Sequence, residues 1–171
     1  MESIRIINDV LPDELLETAM KIMENTKWHY GHSSRPKDIK FWISIMDNEP
    51  VFTETIFEII KRRLDGDYDL LTVYANGQTY GLDGTYHIDG HDEDDTYTFL
   101  LYLNHITHDN VEKIGGHTLF KEGDTIKAVE PILNRGVFFK STVRHRGLGP
   151  SRISNILRTS IAFKLLKKQF P

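Results

Sequence analysis

The chain has 171 residues, of which 21 are basic and 25 are acidic, so its net charge is −4. This length suits one globular domain, and the acidic balance argues against a dedicated nucleic-acid-binding protein. The sequence contains no cysteine, which excludes disulfides and thiolate metal sites and leaves histidine and carboxylate side chains as the strong metal ligands. No apolar run approaches the ~20 residues that span a bilayer, and residues 1–10 lack the apolar stretch of a targeting segment. We therefore expect a cytoplasmic protein that binds no membrane.

Two amphipathic helices are predicted in the first 66 residues. Apolar side chains recur at three- and four-residue spacing in the segment 12–25 and again in the segment 50–64. Between them, the polar segment 31–40 contains glycine and proline, which predicts a long exposed loop. Such loops often act as lids over binding sites.

After residue 66 the pattern changes to short segments rich in valine, isoleucine, threonine, tyrosine and phenylalanine, which is typical of strands. The predicted strands are Phe41–Ile45, 70–75, 97–103, 117–120, 126–129, 136–141 and 159–165. Helices followed by many short strands favour an antiparallel sandwich or jelly roll with helices packed on one outer face. We expect one domain over residues 1–171, with a helical support over about 1–66 and a jelly-roll core over about 67–171.

The motif His87-Ile88-Asp89 is the first candidate metal site. In an extended segment, residues two apart point to the same face, so His87 and Asp89 can bind one ion together. His145, which follows a segment of strong strand character, is the best candidate for a third ligand. Two histidines and one carboxylate form the triad of non-haem Fe(II) oxygenases, which leaves three coordination positions open. A His-x-Asp motif alone, however, occurs by chance in many proteins.

Several further motifs follow this pattern in order along the chain. They are Tyr74 before an expected turn at Asn76-Gly77-Gln78, Tyr102-Leu103-Asn104, Gly115-Gly116-His117-Thr118-Leu119-Phe120, Val129-Glu130-Pro131, Gly136-Val137-Phe138-Phe139-Lys140-Ser141 and Arg158-Thr159-Ser160-Ile161. With these motifs and the three candidate ligands, residues 70–166 resemble the Fe(II)- and 2-oxoglutarate-dependent dioxygenases, specifically the prolyl 4-hydroxylase-like group. The resemblance implies a double-stranded β-helix, which is a form of jelly roll, and implies that His87, Asp89 and His145 bind Fe(II).

The resemblance also implies a binding site for the remote carboxylate of 2-oxoglutarate. Arg158 is the implied partner, because a planar guanidinium can make two parallel charged hydrogen bonds. Ser160 and Tyr102 would add hydroxyl donors, and Tyr74 is a further candidate cosubstrate-binding residue. Arg152 is an alternative, because in close relatives the basic residue follows the second histidine at a shorter spacing. We prefer Arg158, since it opens an apolar strand that can point it inward, whereas Arg152 lies in a Gly-Pro-Ser loop.

The implied activity is hydroxylation of an unactivated C–H bond, with 2-oxoglutarate and O2 as cosubstrates and succinate and CO2 as coproducts. Ascorbate would be an optional further cofactor. A peptidyl proline is the favoured substrate, and a free amino acid or other small metabolite is the alternative. The candidate ligands would also suit a cupin-like metalloenzyme that works without 2-oxoglutarate, or a jelly-roll binding module without turnover. Arg158 argues against the cupin-like enzyme, and the complete ligand set argues against the binding module.

Three more residues are candidates for substrate contact. His117 begins a predicted strand after two glycines, and Arg35 lies in the polar loop 31–40. Asp92 begins the acidic run 92–95, which follows the metal motif in the sequence.

The other histidines receive structural interpretations. His91 stands four residues after His87, a spacing that suits a metal pair only on a helix, which the neighbouring glycine and acidic residues oppose. The remaining four fall in or near predicted loops and are expected to face solvent. They are His29, His32, His105 and His108.

Overall fold

The computed structural model describes residues 4–91 and 94–168. Its helices are α1 (Asp13–Asn25), α2 (Phe57–Arg63) and α3 (Val111–Ile114), and a π-helical segment, Val51–Ile56, leads directly into α2. Its strands are β1 (Ile4–Ile7), β2 (His29–His32), β3 (Phe41–Ile45), β4 (Tyr68–Gln78), β5 (Thr96–Tyr102), β6 (Thr118–Glu122), β7 (Thr125–Val129), β8 (Gly136–Lys140), β9 (Arg144–Gly147) and β10 (Arg158–Lys167).

The strands form two antiparallel sheets. The large sheet has the order β1-β8-β5-β10-β4-β3-β2, and the small sheet has the order β7-β6-β9. Apolar side chains of both sheets pack together in one buried cluster, which includes Leu100 and Ala162 from the large sheet and Phe120 from the small one. The two inner faces therefore enclose a common interior, as in the predicted jelly roll.

The helices cover the opposite face of the large sheet. Buried residues of α1 and α2, such as Ala19 and Ile60, belong to one cluster with Val73, Phe99 and Phe163 of the central strands. Because successive side chains of a strand point to opposite faces, the central strands are apolar on the helix side and can carry polar groups on the inner side. The prediction of helices packed on one outer face of a strand-rich core is confirmed.

The structure corrects several details of the prediction. Residues before 67, expected to be a helical support, contribute the predicted strand β3 and also the unpredicted strands β1 and β2 to the large sheet. The expected turn at Asn76-Gly77-Gln78 is the end of β4, where Asn76 pairs with Ser160 of β10 on one side and with Ile43 of β3 on the other. Pairing on both sides keeps this segment extended despite its turn-like composition.

No helix among residues 4–91 and 94–168 has the length and apolar composition needed to cross a membrane. The cytoplasmic location stays a prediction.

One asparagine links the N-terminal segment to the jelly roll. The buried amide of Asn134 accepts a hydrogen bond from Leu11 N and donates one to Leu11 O, both at 2.8 Å, and Val10 N donates to Asn134 O at 3.1 Å. Asn134 also has a positive φ of 64°, which asparagine tolerates better than other residues with a side chain. Its side chain therefore fixes the connection between β1 and α1 against the turn before β8.

We expect Asn134→Ala to lower the free energy of unfolding by about 2–4 kcal/mol, since it removes two buried hydrogen bonds and leaves alanine in a left-handed conformation. Urea denaturation followed by circular dichroism measures this loss. Asn155→Ala is the matched control, because Asn155 is exposed and should cost less than about 0.5 kcal/mol. Similar losses in the two variants would contradict the role of Asn134.

Candidate active site

Two backbone hydrogen bonds bring the candidate metal ligands together. His87 N donates to His145 O at 3.0 Å, and His145 N donates to His87 O at 2.9 Å, so the segment around His87 forms an antiparallel bridge to β9. Two residues further on, Asp89 N donates to Ser141 O at 2.7 Å. His87, Asp89 and His145 thereby present one ligand atom each, and these atoms all lie within 4.8 Å of one another.

Each imidazole ring is oriented by a hydrogen bond at its other nitrogen. Nδ1 of His87 lies 2.9 Å from the carbonyl oxygen of Thr85, and Nδ1 of His145 lies 2.9 Å from that of Val143. A carbonyl oxygen only accepts, so each Nδ1 carries the proton and each Nε2 keeps a free lone pair for a metal. Nε2 of His87 lies 3.6 Å from Oδ1 of Asp89, and Nε2 of His145 lies 3.5 Å from Oδ2 of Asp89.

The charge states of these residues suit metal binding. Burial lowers the pKa of His145 to about 4, so its ring is neutral near pH 7. Burial alone would raise the pKa of Asp89, but the neighbouring His87 and the ammonium group of Lys164 outweigh this effect and hold that pKa well below its usual range. The site therefore offers the neutral imidazole of His145, the imidazole of His87 and one carboxylate, which is a donor set for a hard or borderline divalent metal.

Sequence reasoning missed Lys164. Its ammonium group contacts Asp89 Oδ2, and its side chain passes beside the ring of Tyr74, with Nζ 5.8 Å from the ring centre. The available signal was the alternation of β10, since Arg158, Ser160 and Lys164 are separated by even numbers of residues and so share one face. Tyr74 lies in the cavity between the sheets, and burial raises the pKa of its hydroxyl group.

Arg158 lies in the interior between the two sheets and is only 2% exposed. Its guanidinium donates to Gly116 O at 2.8 Å, to Gln78 Oε1 at 2.9 Å, to Ser160 Oγ at 3.1 Å and to Thr118 Oγ1 at 2.6 Å. All four acceptors are neutral, and no carboxylate among the described residues forms an ion pair with Arg158. Burial lowers the pKa of Arg158 below its ordinary value, which is the expected direction for a buried cation without a counter-ion.

Two glycines make room for this guanidinium. A Cβ atom at Gly147 would lie 2.8 Å from Gln78 Oε1 and 3.3 Å from Arg158 Nη1. A Cβ atom at Gly116, where φ is +81°, would lie 3.2 Å from Arg158 Cγ. Gly116 and Gly147 therefore allow the backbone to approach the arginine closely.

Hydroxyl groups surround the guanidinium. Ser160 and Thr118 line the same cavity as Arg158, and each accepts a hydrogen bond from it, so each hydroxyl proton remains available to a ligand. Tyr102 is fully buried and donates to Thr118 Oγ1 at 2.7 Å, which places it behind Thr118 and outside the cavity lining. Asn76 also lines the cavity, and its buried Oδ1 has no hydrogen-bond partner among the described residues.

The structure places the two rival arginines differently. Arg152 is exposed in a loop, whereas Arg158 is buried in the cavity that also contains the three candidate metal ligands. Of the two, Arg158 is therefore the one positioned to meet a ligand that also reaches the metal site.

Of the three candidate substrate-contacting residues, the two that the structure describes do not line the cavity. His117 is half-buried and is absent from the cavity lining, to which its neighbour Thr118 belongs. Arg35 is exposed and donates to Tyr86 O at 2.8 Å, which ties the polar loop to the segment before His87. Asp92 lies outside the described residues.

His32 corrects a prediction, because it lines the cavity instead of facing solvent. The unpredicted strand β2 pairs His32 with Phe41, and the His32 ring contacts both Phe41 and Tyr74. His29, His105 and His108 are exposed as expected.

A family model described as the 2OG-Fe(II) oxygenase superfamily matches residues 71–163, which is more than half of the chain. A comparison with curated proteins finds no match. A solved structure of HygX from Streptomyces hygroscopicus with nickel and 2-oxoglutarate bound has a TM-score of 0.68 at 12% identity, covering 98% of this chain and 84% of that one.

Two prolyl hydroxylases also share the fold. The enzyme from Trichoplax adhaerens, solved in complex with a hypoxia inducible factor oxygen degradation domain peptide fragment, has a TM-score of 0.72 at 17% identity, covering 98% of this chain and 84% of that one. A Pseudomonas putida prolyl-4-hydroxylase has a TM-score of 0.65 at 18% identity, covering 98% and 94%. The sequence match, the shared jelly-roll fold and the His-Asp-His cluster agree, and the chain belongs to the 2OG-Fe(II) oxygenase superfamily.

Proposed function

We propose that this oxygenase hydroxylates an unactivated C–H bond, that its substrate is a peptidyl proline, and that succinate and CO2 are its coproducts. In this proposal His87, Asp89 and His145 bind Fe(II), and Arg158 binds the remote carboxylate of 2-oxoglutarate. When bound, the iron and the cosubstrates supply the oxidising chemistry, and the protein supplies orientation and a dry cavity.

The buried, uncompensated charge of Arg158 is the observation that carries the proposal. A buried charge without a counter-ion is costly, so a cation held only by neutral acceptors favours an anionic ligand. The hydroxyl groups of Ser160 and Thr118 lie beside it and can donate to the same carboxylate. A metalloenzyme that works without 2-oxoglutarate would have no use for this cation, which disfavours the cupin-like alternative.

The remaining residues have positioning roles in this proposal. Thr85 and Val143 orient the two imidazoles through their carbonyl oxygens, and Tyr102 fixes the hydroxyl group of Thr118.

Support for a peptide substrate comes from the fold and from the polar loop. The Trichoplax adhaerens enzyme, whose structure contains a peptide, aligns with 98% of this chain. In this chain the loop after β2 reaches the cavity through Ser34 and is attached to the segment before His87 by Arg35 and by Asp38, which accepts a hydrogen bond from Thr85. A loop in this position can close over an extended peptide.

A small metabolite is the second candidate substrate. The HygX fold, which also aligns with 98% of this chain, has been solved with hygromycin B bound. The same architecture therefore accepts a small molecule.

We expect His87→Ala, Asp89→Ala and His145→Ala each to weaken Fe(II) binding by more than ~100-fold, because loss of a partner behind a metal ligand already costs 10–100-fold. Anaerobic titration with Fe(II) and 2-oxoglutarate, followed by the visible charge-transfer absorption, measures this effect. His91→Ala is the control, since His91 is exposed and should bind Fe(II) like the wild type. Normal Fe(II) binding by His145→Ala would contradict the proposed ligand set.

The affinity for 2-oxoglutarate should depend on Arg158 and not on Arg152. Arg158→Ala should cost ~3–5 kcal/mol of binding free energy, because the cosubstrate carboxylate is left buried and unpaired, whereas Arg152→Ala should cost little. Calorimetric titration of each variant with 2-oxoglutarate in the presence of Mn(II) compares them.

Ser160→Ala is a milder variant for the case in which Arg158→Ala does not fold, and it should weaken 2-oxoglutarate binding by about 1 kcal/mol. A larger loss for Arg152→Ala than for Arg158→Ala or Ser160→Ala would reverse the assignment.

A proline-containing peptide should stimulate succinate formation above the slow uncoupled rate and should gain the mass of one oxygen atom on proline. Mass spectrometry of a peptide library incubated with Fe(II), 2-oxoglutarate and O2 tests this, and the same library with proline replaced by alanine is the control. Oxidation of a free amino acid or another metabolite, with no oxidation of any peptide, would contradict the peptidyl proline substrate and support the small-molecule alternative.

A further inference from the structure

Lys164 is the second cation on the inner face of β10. It lies six residues after Arg158, which corresponds to roughly 20 Å along a strand, and the two are the first and last residues of β10 that line the cavity. Its side chain is only 15% exposed. Unlike Arg158, it has an acidic partner, and that partner is the candidate metal ligand Asp89.

The contacts around Asp89 distinguish its two carboxylate oxygens. Oδ2 contacts the ammonium group of Lys164 and accepts a hydrogen bond from Thr98 Oγ1 at 2.7 Å. Lys164 Nζ also donates to Thr98 Oγ1 at 3.1 Å, so the three groups form a closed triangle. Each oxygen also faces one candidate ligand, since Oδ2 lies 3.5 Å from His145 Nε2 and Oδ1 lies 3.6 Å from His87 Nε2. Oδ1 accepts no hydrogen bond from the described residues, so only Oδ2 is held by other side chains.

We propose that Lys164 is a positioning residue that occupies Oδ2 of Asp89, leaves Oδ1 for the metal, and balances the carboxylate charge in the metal-free protein. This proposal rests on the ligand set of the proposed function. Lys164 is not one of the three proposed metal ligands, and it is not part of the proposed binding site for 2-oxoglutarate.

Lys164 should have opposite effects on the stability of the metal-free protein and on its affinity for the metal. A buried carboxylate without a partner is destabilising, so Lys164 stabilises the metal-free protein. A divalent ion that binds Asp89 must then do so near a fixed positive charge, which repels it. Lys164 therefore keeps the ligands assembled before the metal arrives and, for the same reason, lowers the affinity for the metal.

The test compares three variants in their metal-free and Mn(II)-bound forms. Lys164→Met removes the charge but keeps a side chain of similar length, and Lys164→Arg keeps the charge. Lys140→Met is the control, because Lys140 lies in strand β8 and does not line the cavity. Calorimetric titration gives the Mn(II) dissociation constant, and thermal unfolding with and without Mn(II) gives the stability of both forms.

We expect metal-free Lys164→Met to unfold at a lower temperature than the wild type, to bind Mn(II) about tenfold or more tightly, and to gain more thermal stability from Mn(II). Lys164→Arg and Lys140→Met should bind Mn(II) within about threefold of the wild type. A lysine with a merely structural role would lower stability without tightening metal binding. Unchanged or weaker Mn(II) binding by Lys164→Met therefore overturns the proposal.

Two further outcomes are separable. If the wild type binds no Mn(II), both the proposed ligand set and the proposed role of Lys164 are wrong. If the wild type binds Mn(II) and Lys164→Met binds it no more tightly, only the proposed role of Lys164 is wrong. If Lys164→Met cannot be isolated without metal, the proposal requires that Mn(II) rescue its folding during expression and purification, and a failure of rescue overturns it.

Discussion

The candidate metal site depends on the pair of backbone hydrogen bonds between His87 and His145. These residues are far apart in the chain, and this antiparallel bridge brings their imidazoles to one point. The segment around His87 has no regular strand of its own, so the bridge to β9 also fixes Asp89 and the carbonyl oxygen of Thr85 that orients the His87 ring. Ligand geometry is thus a consequence of backbone pairing, which is rigid, and not of side-chain contacts alone.

Strand β10 supplies the second organising feature, because it pairs with β4 and β5 on both sides and so lies at the centre of the large sheet. The first and the last of its cavity-lining residues are both cations. Lys164 has an acidic partner and Arg158 has none among the described residues. This difference in charge balance, and not burial itself, marks the Arg158 end as the place for an anionic ligand and the Lys164 end as part of the metal site.

The strands that sequence patterns predicted lie inside their sheets, with the exception of the edge strand β7. The segments with continuous β-branched and aromatic character, such as β5, β8 and β10, lie inside the large sheet, where both neighbours cover them. The missed strands β1, β2 and β9 are edge strands of their sheets and are only four residues long. An edge strand pairs on one side and can remain short and polar, so it carries little of the pattern that identifies strands from sequence.

The ligand residue types, their order and the family resemblance could be predicted from sequence, because the even spacing of His87 and Asp89 and that of Arg158 and Ser160 are local properties of an extended chain. Tertiary structure decided which distant residues meet. The choice between Arg158 and Arg152 as the cavity arginine, the arrival of His32 through β2, and the contact of Lys164 with Asp89 depend on pairing between strands far apart in the chain. Such pairing is set by the packing of the whole molecule, and no short segment of sequence contains it.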